Sequence, residues 1–122
     1  MSELMTDTPA LEASAKLILD LDRLIQAMRS SVRPTQTWQR SLLSQLADLD
    51  RQVEVLRLAI MLDRDDAEIL QAAEALVGTL ALRDAQLAKG RADESTRAAF
   101  RLALGIARRI PVALVKLARA IE

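Results

Sequence analysis

The 122-residue chain has no cysteine, no histidine and no tyrosine, and only three glycines, three prolines, one tryptophan and one phenylalanine. Without cysteine there is no disulfide framework and no thiolate chemistry. Without histidine there is no imidazole base and no His-containing zinc or haem site. So few aromatics and turn residues are poor material for a β-sandwich or barrel. Long apolar runs are missing as well. The longest stretch without a charged residue, residues 75–82, has eight members, against about 20 for a membrane-spanning helix. Residues 1–8 hold two acids and no base, unlike the cationic start of a secretory signal. The expected location is therefore cytoplasmic.

What the chain does contain is helix-forming. It is rich in Ala, Leu, Arg, Asp and Glu, with 51% hydrophobic and 28% charged residues, enough to bury one core and keep a wetted surface. Seventeen basic residues balance seventeen acidic ones, for a net charge of zero. The balance hides an asymmetry. Residues 1–88 carry nine Lys/Arg and fourteen Asp/Glu, a net of −5, whereas residues 89–122 carry eight against three, a net of +5. The last quarter is a basic element on an acidic body.

Apolar residues recur at helical spacing in four segments. The first covers about residues 9–29, with Leu11, Ile18, Leu21, Ile25, Met28 and Val32 in one stripe and Ser14 filling a gap. Thr8 and Pro9 suit its start. Pro34 ends it, and Thr35 or Thr37 caps a second helix to about Leu62. There Leu42, Leu46, Leu49, Val53, Leu56 and Ile60 alternate intervals of four and three, a coiled-coil-like seam. The acidic run Asp63, Asp65, Asp66, Glu68 favours the N-terminus of a third helix, about residues 66–89, with Ile69, Ala73, Leu76, Leu80 and Leu87 inward and Gly90 as its C-terminal cap. Asp93 opens a fourth, whose stripe is Phe100, Leu104, Ala107, Ile110, Leu114 and onward. Pro111 falls inside that stripe without shifting its phase, which predicts a kink rather than a chain break. The expected fold is all-α: an antiparallel up-down-up-down four-helix bundle over residues 9–122, its last helix kinked at Pro111, behind a flexible tail of residues 1–8.

The chemistry-bearing motifs of such bundles are missing. A di-metal carboxylate core needs inward Glu-x-x-His pairs, and the inner stripes carry neither. Met28 and Met61 lack a histidine to share a haem with, and a Met in a stripe is core filler. Gly78, Gly90 and Gly105 are isolated and form no phosphate loop. The run from Asp63 to Glu68 lacks the central Gly of a calcium loop and reads as helix capping. Asp20 with Asp22, and Asp48 with Asp50, are two residues apart, do not share a helix face, and read as solvated. No catalytic residue, metal or cofactor is expected, and the chain reads as non-enzymatic.

Two features go beyond a minimal bundle. Apolar residues exceed the roughly three in seven that a bundle helix needs. Val55, Leu58 and Leu62 lie off the second seam; Leu102, Ile106, Val112 and Val115 lie beside the fourth; Leu17, Leu19 and Leu24 lie on the first. They form either a wide core stripe or a partner interface for self-association or another protein. Second, Arg97, Arg101, Arg108, Arg109, Lys116 and Arg119 run along the fourth helix. They form either a solvated face paired with acids on the first or third helix or a contact for a nucleic-acid backbone or another polyanion.

In length, helical build and basic stripe the chain looks like the small helical subunits of CRISPR effector complexes, and it resembles the accessory bundle proteins of diversity-generating retroelements. The likeness is one of build, and no site residue is carried over from it. It implies a non-catalytic small subunit of a nucleoprotein assembly, with the basic helix along phosphates and base stacking confined to Trp38 and Phe100. The alternatives are a protein–protein adaptor or homo-oligomeric scaffold using the surplus apolar faces and, ranked below both, a cationic amphipathic binder of membrane surfaces.

Overall fold

The computed structural model describes the backbone of residues 8–121 and the side chains of residues 12–117. Among the described residues there are four helices and no strand: α1 Thr8–Ser31, α2 Thr37–Met61, α3 Asp66–Ala88 and α4 Glu94–Ile121. Thr8, expected as a cap, is the first residue of α1. The rest of the expected tail, and the inward placement of Leu11, lie outside the described residues.

The stripes read from spacing form the core. On α2, Leu42, Leu46, Leu49, Val53 and Leu56 are all buried. They meet Ile18, Leu21, Ile25 and Met28 of α1, Ala73, Leu76 and Leu80 of α3, and Phe100, Leu104, Ala107 and Ile110 of α4 in one cluster. Each large side chain there contributes about 1.5–3 kcal/mol by leaving water. Ile60, Ile69, Leu87 and Leu114, at the ends of their stripes, pack against the cluster but keep some exposure. Ser14 is buried among them as expected. The stripes of α1 and α4 are wider than read. Leu17 is buried rather than surplus, and Ala103 is fully buried beside Leu104, because α1 and α4 pack closely along each other in a bundle where every helix is clasped on two sides.

That clasp follows from the packing partners. α1 packs against α2 and α4, and α3 packs against the same two helices. α2 and α4 therefore occupy diagonal corners, each with its seam inward. Polar pairs cross the α1–α2 boundary. Gln26 Nε2 donates to Asp50 Oδ1 at 2.7 Å and Arg29 donates to Asp50 Oδ2 at 3.0 Å. Two turns further along α2, Arg57 lies 4.0 Å from Asp22. Asp22 and Asp50, expected to be solvated, are instead half-buried partners in this boundary. Between α2 and α3, Gln52 donates to the Thr79 hydroxyl at 3.1 Å.

The helix ends show local chemistry at work. At the start of α2 the N-cap is Gln36, not Thr35 or Thr37. The Gln39 side-chain carbonyl accepts from the backbone N–H groups of Thr35 and Gln36, so a side chain satisfies donors that the helix cannot. α2 closes through Asp63, which adopts φ 53°. Its N–H donates to the Ile60 carbonyl and the Arg64 N–H to the Ala59 carbonyl, the paired bonds of a Schellman closure. Gly90, the expected C-terminal cap of α3, directly follows the C-cap Lys89 without a positive φ; among the described residues the left-handed one is Asp63. The Asp93 carboxylate caps α4 by accepting from the Thr96 N–H at 2.7 Å. Its pKa lies below the usual carboxylate value, held there by the Thr96 side chain first, then the Thr96 N–H and the nearby Arg97 charge, against a small opposing effect of burial. α4 then runs unbroken through Pro111, as the unchanged phase of its stripe predicts.

Candidate functional site

The surplus apolar residues divide by position. On α2, Val55, Leu58, Met61 and Leu62 are between 43% and 76% exposed. At 3.6 residues per turn, Val55, Leu58 and Leu62 lie about 140–160° from the middle of the buried seam. They continue no core and form the outward crest of the helix. On α4, Leu102 and Val112 are each more than half exposed. Ile106 instead packs against the core, and Val115 is half-buried, so these two belong to the flank of the wide α4 stripe. On α1, Leu19 is exposed and Leu24 packs against the core.

The basic residues divide in the same way. Arg97 is half-buried and pairs with Glu94 at 3.6 Å; Arg101 is more exposed and reaches Glu94 at 3.0 Å. One glutamate thus serves two arginines. The Arg97 Nε is buried without a hydrogen-bond partner. Arg108, Arg109 and Lys116 are exposed, and no acid pairs with them among the described residues. With Arg101 they fall within an arc of about 100° on the outward side of α4, interleaved with Leu102 and Val112. The Arg119 side chain lies outside the described residues. Gly105 occupies the middle of this outward face. A Cβ built there would meet nothing within 4 Å, so internal crowding does not require the glycine.

The acids of the α2–α3 turn also take a definite arrangement. Arg64 pairs with Glu68 at 3.2 Å, which leaves Asp63, Asp65 and Asp66 exposed beside the apolar crest of α2. Asp65 is the N-cap of α3 but makes no side-chain capping bond, and Asp66 and Glu68 occupy the first turn, where the helix dipole favours negative charge. No group of three potential metal-ligating side chains comes together among the described residues. Further along α2, Asp48 pairs with Arg51 and Glu54 with Arg57, so the middle of that helix is locally neutral.

A shallow cleft of about 170 Å³ lies between the start of α2 and the end of α3, lined by Trp38, Leu42, Gln45, Leu87, Arg91 and Ala92 among others. Small-molecule sites usually enclose roughly 300–1,000 Å³, and the Trp38 indole N–H is already taken by Gln36 at 2.6 Å. No helix among the described residues is long and apolar enough to cross a membrane.

The outward faces of α2 and α4 are therefore the candidate site. One is an apolar crest ending in acids; the other is a basic face with apolar residues set into it. Comparison of the chain with protein-family models, with curated proteins and with solved structures gives no match.

Proposed function

We propose that the protein is a non-catalytic helical subunit that joins a larger assembly through the opposed outward faces of α2 and α4. The observation that carries this reading is the exposed crest of Val55, Leu58 and Leu62 across α2 from its buried seam, with exposed Met61 on its flank. Leucines placed there contribute nothing to the internal core. Leaving them in water forgoes about 1.5–3 kcal/mol per side chain, which a docked partner would recover.

The helices that present these faces form an up-down-up-down bundle. Polar partners support this order: from Asp22 to Arg29 along α1, the α2 partners run back from Arg57 to Asp50. Pro111 bends α4 locally, because the Ala107 carbonyl loses its helical donor and the proline ring crowds the preceding turn.

A nucleoprotein reading has its own support in Arg108, Arg109 and Lys116, exposed on one arc with no acid among the described residues to neutralise them. Phosphates would be the partners, and contact would be nearly indifferent to base sequence. Native isolation under mild conditions tests both readings. The expected result is a particle well above the 13.4 kDa of the single chain, lost on Leu58→Glu. A high ratio of absorbance at 260 to 280 nm would identify nucleic acid in it. A native chain that migrates alone at its own mass would refute the docking reading.

A further inference from the structure

We infer that the α2 face of one copy of this chain receives the α4 face of a second copy, so that copies join head to tail. The inference rests on the docking reading above and names the partner.

Charge complementarity carries it. The α4 face presents Arg108, Arg109 and Lys116 without acid partners among the described residues, while the α2 crest ends at Asp63, Asp65 and Asp66, which make no ion pair among those residues either. The C-terminal end of α2 adds the negative pole of its dipole at the same place. Across the whole chain the −5 of residues 1–88 and the +5 of residues 89–122 sum to zero. On the faces themselves three acids, Asp63, Asp65 and Asp66, stand against three bases, Arg108, Arg109 and Lys116.

Shape agrees with charge. From Asp48 to Leu62 the α2 face is about 21 Å long, and from Arg101 to Lys116 the α4 face is about 22 Å. Gly105 leaves the middle of the α4 face without a side chain, and nothing inside the fold requires that. A glycine there costs helix stability but lets a second helix approach closely. The diagonal placement of α2 and α4 means that one copy can use both faces at once. That makes the contact heterologous rather than two-fold. The symmetric alternatives fare worse: α4 against α4 sets Arg108 and Arg109 near their own counterparts, and α2 against α2 leaves the Asp63–Asp66 end without a basic face to meet.

The contact is one helix crest on another, narrower than the roughly 800 Å² per partner of standard stable interfaces. Association is therefore weak, and exposed charges make it sensitive to salt, since the screening length falls to about 10 Å at 0.1 M.

Sedimentation equilibrium of the full chain over roughly micromolar to millimolar concentrations decides the matter, using two variants that each disable one face. Leu58→Glu alters the α2 crest; Arg108→Glu with Arg109→Glu inverts the α4 face. All three positions are exposed, and helical circular dichroism verifies that each variant folds. Leu62→Glu replaces Leu58→Glu if that one does not. The wild-type chain is expected to exceed 13.4 kDa, less so at high salt. Each variant alone is expected to be monomeric, and an equal mixture of the two to form a one-to-one dimer and nothing larger, since each retains the face that the other lost. A monomeric wild type, a variant that alone associates as well as the wild type, or a mixture that stays monomeric would each overturn the inference. If a large native particle persists while the purified wild type is monomeric, only the identity of the partner is wrong; if the native chain is also alone, the docking reading fails too.

Discussion

Leu49 provides a quantitative test of the α2 register. It is fully buried at the middle of the seam, one position within the spacing that also buries Leu46 and Val53. Replacing it with Ala removes three carbons from water-free surroundings, about 2.4 kcal/mol at roughly 0.8 per buried methylene. The cavity left behind adds to that, within the 2–5 kcal/mol range seen for such changes. A domain of this size has about 5–15 kcal/mol in all, so Leu49→Ala should consume a large part of it. In urea titration, with a slope of about 1–3 kcal/mol per molar, the midpoint should fall by roughly 0.8 M or more with the slope unchanged. Val55→Ala, on the same helix but on the exposed crest, should move it little in dilute solution. Equal shifts for the two variants, or no shift for Leu49→Ala, would show that the face assigned to the core is wrong.

Other expectations follow from the helix ends and surfaces. Asp63→Gly relieves a left-handed residue and should raise stability by about 0.5–1 kcal/mol, read as a higher urea midpoint. Gly78 has open space around the position of a Cβ, so Gly78→Ala should stabilise by about 0.5–1 kcal/mol, measured by thermal unfolding. The Asp93 pKa is lowered in the fold. Its capping contribution is therefore complete above the ordinary carboxylate value and is lost as pH falls through the lowered one. Asp93→Asn retains an N-cap acceptor and should flatten stability against pH over that acid range, read by urea midpoints at successive pH values. If nucleic acid is a partner, replacing Arg101 and Arg108 with Ala should weaken binding alike for unrelated sequences and make the salt slope shallower by roughly one to two units. Filter binding at several salt concentrations measures it, and no binding at low salt, for both the free protein and its native complex, would exclude that partner.

The helices were legible because their periodicity is strong. The alternation through Leu42, Leu46, Leu49, Val53 and Leu56 fixes one face of α2, and the same pattern makes Val55, Leu58 and Leu62 stand out as lying opposite it. On α4 the reading blurred for a physical reason. Alanine is both a good helix former and a good filler between close helices, so Ala103 gave no sign of being fully buried, while Ile106 looked like surplus and lies on the flank of the core. Charge pairing across helices was not legible at all. Asp50 meets Gln26 and Arg29 from another helix, which spacing along one segment does not reveal; Glu94, by contrast, takes up Arg97 and Arg101 from its own helix, three and seven residues on. The turn after α2 was expected to cap α3 through its acids, yet its distinctive residue is Asp63, where an aspartate takes the left-handed position that composition alone would assign to glycine.

The absence of cysteine makes the head-to-tail contact directly measurable. One variant carries Leu58→Cys on the α2 crest, and the other Gly105→Cys in the middle of the α4 face. Because each variant carries a single cysteine, any disulfide must join two copies. Mixed under mild oxidation, the two variants should form the 58-to-105 disulfide well ahead of either symmetric dimer, and salt should slow it. Statistical formation of all three dimers, or preference for either symmetric one, would contradict the account.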